Sequence, residues 1–355
     1  MISEKLQKAR EFEQEQLSKI SPEERPSFHV TGGTGWINDP NGFSYYNGEY
    51  HLFYQYHPYS NEWGPMHWGH LSSKDMLAWK RLPVVMAPEE SYDNFGCFSG
   101  SALELSDGRH LLMYTGVGYV GDTPMANGEL PTHQTQCMAV GDGVNYEKYE
   151  NNPVITGDDI PEGGSKVDFR DPKIWKEDDG YFYAVISNMT DDGNSRILLY
   201  RSPDGFKWEY VTVLDHSDAK LGKMWECPDF FDMDGQQVML VSPQEMQATP
   251  DGVFHAGLFG ELRPLFRVVI HGIKFVEIGL IGFHGDTLLA AHPFAARRNG
   301  VQPPMDEHAE TILPEPGNAP VVFFPIELEH NGHPFFVYAV SLLYHTVYPA
   351  ASLLY

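Results

Sequence analysis

Trp36-Ile37-Asn38-Asp39-Pro40-Asn41-Gly42 is the stretch from which the rest of the chain can be read. It opens a series of aromatic and aliphatic runs and sets one carboxylate, Asp39, directly before a proline. Two later stretches repeat the arrangement: Phe169-Arg170-Asp171-Pro172 and Trp225-Glu226-Cys227-Pro228, the last with one residue between acid and proline. An aspartate before a proline is by itself an ordinary turn signature. The three stretches carry weight only through the register they share.

That register comes from the turns. Asn47-Gly48, Asp107-Gly108, Asp179-Gly180 and Asp234-Gly235 each precede an apolar run that reads as a strand, over 50–56, 110–115, 181–186 and 238–241. Asn-Gly and Asp-Gly suit two-residue hairpins because both central positions need positive φ. Successive glycines of this set lie 60, 72 and 55 residues apart, and nine residues before them stand Asp39, Ser99, Asp171 and Glu226. A second mark recurs in the first three units: Asp75-x3-Trp79, Asp142-x3-Tyr146 and Asp204-x3-Trp208. Two of these share the fuller form Ser-x-Asp-x-x-x-Trp, from Ser73 and Ser202. Two co-registered marks per unit predict an all-β propeller of short antiparallel strands rather than a sandwich. Equivalent positions on the innermost strands would then surround one axis and build a polar, acidic funnel.

The bulk composition narrows the partners. A formal charge of −25 over 355 residues disfavours nucleic acid and anionic membrane surfaces. Three cysteines, Cys97, Cys137 and Cys227, without Cys-x-x-Cys spacing argue against a disulfide framework or a zinc site. His67-Trp68-Gly69-His70 is no metal pair on a strand, since positions three apart point to opposite faces. No signal-like leader and no membrane-length apolar run is found. The expectation is a cytoplasmic enzyme acting on a small molecule without cofactor or metal; the oligomeric state is left open. Residues 2–20 read as an amphipathic helix, with Ile2, Leu6, Ala9, Phe12, Leu17 and Ile20 on one stripe and Ser21-Pro22 ending it.

Paired carboxylates that meet in one pocket suit glycoside hydrolysis, where one protonates the leaving oxygen and the other attacks or activates water. A third can hold sugar hydroxyls more tightly as the transition state forms. Trp36–Gly42, Phe98–Ser101, Phe169–Pro172 and Trp225–Pro228 together resemble glycoside hydrolase family 32, which holds invertases, sucrose-6-phosphate hydrolases and fructan hydrolases. The likeness runs from about Phe28 to about Gln244, and His133-Gln134-Thr135-Gln136-Cys137 is similar to the bacterial sucrose-6-phosphate hydrolase branch.

The resemblance implies a five-bladed propeller and a retaining mechanism. Asp39 would be the nucleophile, Glu226 the acid/base, and Asp171 the carboxylate that stabilises the transition state through fructose hydroxyls. Asn38, Gln55, Trp63, Phe98, Ser99 and Arg170 match positions that line the fructosyl subsite. Asp39 must be ionised to attack, so Asn38, Asn41 and nearby amides are expected as donors to it. Glu226 must be protonated near neutral pH, so desolvation or crowding by another carboxylate is expected there, with Trp225 and Cys227 as poorly solvating neighbours. The Asp39 and Glu226 carboxyls are expected about 5–5.5 Å apart, the retaining separation.

The pattern fades after about Ala256. The expected division is a lead-in over 1–27, the propeller over 28–255 and an atypical region over 256–355. Asn331-Gly332 precedes another strand-like run, 335–341, but nine residues before that glycine stands Phe323, and all seven tryptophans lie at or before 225. The family's C-terminal β-sandwich is expected to be absent. A reading-frame change near residue 255 is favoured over a divergent or truncated end, with impaired stability or activity as its consequence. The leading function is hydrolysis of the fructosyl bond of sucrose or sucrose 6-phosphate. The alternatives are a fructan hydrolase or fructosyltransferase, and a non-catalytic or impaired sugar-binding propeller.

Overall fold

The computed structural model describes residues 2–26, 29–217, 222–233 and 236–245, and beyond them four short strands. The chain divides into a unit over 1–279 and a second over 280–355.

The first unit carries four antiparallel sheets, each written in chain order. The first is β1 (Trp36–Tyr46), β2 (Glu49–His57), β3 (His67–Ser73) and β4 (Lys80–Met86). The second is β5 (Gly96–Glu104), β6 (His110–Tyr119), β7 (Thr132–Gly141) and β8 (Tyr146–Lys148). The third is β9 (Gly164–Lys176), β10 (Phe182–Thr190), β11 (Ser195–Ser202) and β12 (Glu209–His216). The fourth is β13 (Trp225–Met233), β14 (Gln236–Pro243), β15 (Arg267–Ile270) and β16 (Val276–Glu277). Strands β1, β5, β9 and β13 neighbour one another in that order, so each sheet is a propeller blade whose first strand is innermost. Four blades of the expected β-propeller are thus described. The outer strands of the fourth come from residues past 255.

The repeated marks have local causes. Asn47 (φ 50°) and Gly48 (φ 83°) form the first hairpin turn with both central residues left-handed, and Gly108 and Gly180 repeat the positive φ. A side chain at Gly48, Gly108 or Gly180 would meet nothing within 4 Å, so backbone conformation selects glycine there, not space. Asp234-Gly235 lies outside the described residues. The Ser-x-Asp-x-x-x-Trp mark is a clip between the third and fourth strands of a blade. Asp75 Oδ1 accepts from the amides of Leu77 and Ala78, both at 2.8 Å, and Asp204 Oδ1 does the same for Phe206 and Lys207. Ser73 and Ser202 hydroxyls take the amides of Met76 and Gly205.

Packing runs between blades. Leu112, Tyr114 and Ala139 face Phe53, Trp68 and Val85 of the first blade. Leu111, Met113 and Met138 turn the other way, onto Ala184, Ile186 and Leu198 of the third. Val185 and Ile197 meet Trp225, Met239 and Val241 of the fourth. The alternation is the period of two of a strand, used here to bury both faces. Each fully buried aliphatic or aromatic side chain contributes roughly 1.5–3 kcal/mol.

The helix α1 spans Glu4–Leu17, capped by the Ser3 hydroxyl, and so is shorter at both ends than the expected 2–20. Leu6 and Ala9 pack on Tyr54, Tyr56 and Leu71. Its third buried residue is Glu13, whose carboxylate accepts from Tyr56 Oη at 2.9 Å. Ile2, by contrast, is exposed.

The second unit contributes a hairpin of Phe324–His330 and His333–Ala339, paired from Phe324↔Ala339 to His330↔His333. The expectation of a strand after Asn331-Gly332 is met by His333–Ala339, while Asn331-Gly332 itself and the other readings placed in 280–355 lie outside the described residues.

Removing a clip tests its share in the fold. Asp204→Ala is expected to lower stability by about 1 kcal/mol, as loss of a helix-capping side chain does, in urea unfolding of the purified chain. An unchanged midpoint would show that the clip only decorates the turn.

Candidate active site

Each inner strand breaks its hydrogen-bond ladder at the height of the motifs. Pairing between β1 and β2 skips Asn38 and Asp39, and between β5 and β6 it skips Ser99. In β9 it skips Asp171 and Pro172, and in β13 Cys227 and Pro228. Proline has no N–H to give a neighbouring strand, so such a bulge is where an inner strand can hold one. Asp171 (φ 63°) and Cys227 (φ 48°), each before its proline, adopt the left-handed conformation. That conformation is costly for a residue with a Cβ and typical of functional sites. By this register Cys227, not Glu226, matches Asp171, so the nine-residue count holds only to within one residue. Glu226 stands level with Arg170.

The bulges surround a cavity of about 440 Å³ lined by Asn38, Asp39, Gln55, Trp63, Phe98, Ser99, Arg170, Asp171 and Glu226, with Met66 and Gln134. All nine residues singled out in the sequence therefore meet in one place. Met66 and Gln134 were missed. Gln134 lies in the quoted His133–Cys137 stretch, and only its alternation along β7 could have turned it inward. His67 and His70 face different partners: Nδ1 of His67 is 2.9 Å from Pro65 O, and Nε2 of His70 is 2.9 Å from Nδ1 of His51.

Two electrostatic expectations change. The donor to Asp39 is Ser99, whose hydroxyl meets Oδ2 at 2.9 Å. Asn38 instead accepts from Trp36 Nε1 through its oxygen, at 2.8 Å. Asn41 is buried between Gly100 and Gln55 instead. Glu226 is held by a guanidinium as well as lying near Asp171: Arg170 Nε and Nη2 donate to its Oε1 at 3.1 and 2.9 Å. The remaining arm of Arg170 binds Asp168 at 2.9 Å. Burial opposes the charge on Arg170, but the surrounding Asp171 and Glu226 carboxylates hold it firmly protonated.

The crowding falls on Asp171, which is 7% exposed. Desolvation, helped by the nearby Glu226 and Asp39 charges, pushes its carboxyl up to about 7, although Arg170 and the Cys227 amide at 3.0 Å act in the other direction. Asp171 is also the deeper of the two acids, since the Glu226 side chain keeps 28% exposure. Asp171 is held there by the second blade. Its amide donates to Thr115 Oγ1 at 2.9 Å, Thr115 donates to Gln136, and Gln136 and Gln134 bracket Phe169 through its carbonyl and amide. Cys227 keeps surface exposure, but desolvation at its thiol, with the Asp171, Asp39 and Glu226 charges, pushes it up and leaves it a poor nucleophile.

Known proteins share this frame. The model of the glycosyl hydrolases family 32 N-terminal domain matches residues 29–262. A sucrose-6-phosphate hydrolase of Zymomonas mobilis subsp. mobilis is 44% identical over 241 residues, 65% of this chain and 45% of its own length. A raffinose invertase of Escherichia coli is 43% identical over 235 residues, 66% of this chain and 46% of its own. The chain thus spans about half the length of the curated relatives it matches. Among solved structures, the Bombyx mori GH32 beta-fructofuranosidase superposes with a TM-score of 0.63 at 40% identity, over 74% of this chain and 52% of that one. A mutant of it in complex with sucrose gives 0.65 at 37% identity, over 76% and 56%.

The raised Asp171 carboxyl has a sign that can be measured. A group whose folded pKa exceeds its unfolded value of about 3.9 stabilises the fold while protonated in both states, and that stability is lost as pH rises through the folded value. Relative to Asp171→Asn, the wild-type chain is expected to lose stability between about pH 4 and about pH 7 in denaturant titrations. A parallel pH course for the two would contradict the burial of this carboxyl.

Proposed function

The chain belongs to glycosyl hydrolase family 32, whose N-terminal domain matches residues 29–262, and from that premise we infer that it hydrolyses the β-fructofuranosyl bond of sucrose or a close derivative. What supports the reading most is the meeting of three carboxyls and an arginine from three blades in one sugar-sized cavity.

In this reaction Asp39, supported by the Ser99 hydroxyl, attacks the anomeric carbon of the fructosyl ring from one face. Glu226 gives a proton to the glycosidic oxygen as it departs, then takes one from the water that releases fructose. Asp171 and Arg170 hold ring hydroxyls. Carboxyls that share a cavity titrate as one system. Trp63 and Phe98 give the ring a rigid apolar contact. A small imported disaccharide is the substrate that goes with the cytoplasmic setting expected from the sequence.

Purified chain with sucrose should release reducing sugar. Asp39→Ala should remove at least about 10³-fold of the rate, and Glu226→Gln about 10²–10⁴-fold. Proton NMR of the first-formed fructose should show the β anomer, the retaining outcome. Wild-type turnover that survives Asp39→Ala, or first-formed α anomer, would overturn the assignment.

A further inference from the structure

We propose that Glu13 of α1 is a positioning residue for Asp39, acting through Tyr56 on the run of chain that enters β1. This rests on the fructosyl-bond reading of the cavity, in which Asp39 attacks. The match to the family domain begins at residue 29, so α1 lies outside it. Yet the helix sends a carboxylate into the first blade. Glu13 is 5% exposed and Tyr56 is fully buried. Leu6 and Ala9, on the same helix, pack on apolar surface. A carboxylate in that setting costs stability that an apolar side chain would not. Burial accordingly pushes its carboxyl up, although Tyr56 and the Arg81, Arg25 and Arg10 charges act in the other direction. A group kept at such a cost is a candidate for a task other than packing.

The task is visible in what the pair holds. Tyr56 Oη donates to Glu13 Oε1 at 2.9 Å and accepts the Thr34 N–H at 3.0 Å. The Thr34 hydroxyl donates to Pro58 O at 2.9 Å. Gly33 lies directly against the carboxylate: a Cβ there would come within 2.1 Å of Glu13 Oε1. Arg25 donates to the carbonyls of Gly32 and Gly33, and Arg81 to that of Thr31 at 2.8 Å. Residues 31–35 thus reach β1 outside any strand ladder, with side chains holding their backbone.

Tyr56 holds both ends of that entry. Its side chain fixes Thr34, and its backbone pairs with Ile37, the last pair before the ladder skips Asn38 and Asp39. Trp36, between them, gives its Nε1–H to Asn38 Oδ1 at 2.8 Å. From Pro40 the ladder resumes against Tyr54, whose Oη accepts from Arg81 at 2.9 Å. Asp39 sits in the gap, so its height in the cavity follows the placing of 34–37. A nucleophile displaced by on the order of 1 Å can lose about 10²-fold in rate.

Kinetics and amide exchange test the tether together. Glu13→Ala is expected to lower kcat on sucrose about 10-fold with KM changed less than about 3-fold. Glu13→Gln, which keeps an acceptor oxygen for Tyr56, should recover most of the loss. Tyr56→Phe cuts the same link from the other end and carries the test should Glu13→Ala not fold. The two together should cost no more than one alone, since they remove one interaction. Lys5→Met removes another anchor of α1, the bond from Lys5 Nζ to Pro88 O, and is expected to leave kcat unchanged. By mass spectrometry, amides of 31–39 should exchange faster in Glu13→Ala while those of β10 keep their rate. An unchanged kcat in Glu13→Ala or Tyr56→Phe, no recovery in Glu13→Gln, multiplied losses in the pair, or an equal loss in Lys5→Met overturns the proposal. A wild-type chain that never cleaves sucrose sinks the hydrolase reading instead. Faster exchange over 31–39 in Glu13→Ala then leaves the tether standing, and unchanged exchange removes it as well.

Discussion

A strand that carries a proline gives up a ladder hydrogen bond, and three of the four inner strands described carry one at this height. The interruption at Asn38–Asp39, just before Pro40, and at Asp171–Pro172 and Cys227–Pro228 lets the backbone bulge, and the bulge turns a carboxylate or its neighbour toward the common axis. The second blade has no proline at this height; Gly100, whose Cβ would come within 2.0 Å of Met113 O, allows the bulge at Ser99. Everything chemical in the molecule follows from these four local failures of pairing, which the buried blade-to-blade packing is strong enough to sustain.

Gathering three acids in one cavity has an electrostatic cost that the structure distributes unevenly. Arg170 answers Glu226 and Asp168 directly. Asp39 takes a neutral hydroxyl from Ser99. Asp171, deepest of the three, is left with one backbone amide and a thiol, Cys227 Sγ at 3.8 Å, and its carboxyl rises to about 7 in consequence.

Much of this was legible in the residues because it repeats. Hairpin turns and Asp clips are set by side chains within a few positions, so Asn47-Gly48 or Ser202-x-Asp204 announces its own geometry. The lining of the cavity was legible because blades of similar length bring the same slot to the same axis. What could not be read was depth. That Asp171 and not Glu226 is the desolvated acid depends on Thr115, Gln134 and Gln136, which belong to a different blade and have no sequence relation to either acid. Nor could the pattern foresee Glu13 as the buried polar foot of α1, since Tyr56 and the first blade supply its setting. The donor to Asp39 was misassigned for the same reason: Asn38 is near in sequence, while Ser99 is near in space.

The central claim is that Asp39 forms the covalent bond to the sugar, with the other acids arranged around that event. Its direct test is rapid quenching of the Glu226→Gln chain with a fructoside whose leaving group departs without protonation, followed by peptide mapping in a mass spectrometer. The account predicts a fructosyl group on the peptide that contains Asp39 and none on the peptide that contains Asp171. An adduct on any other residue, or rapid product release with no adduct at all, would contradict it.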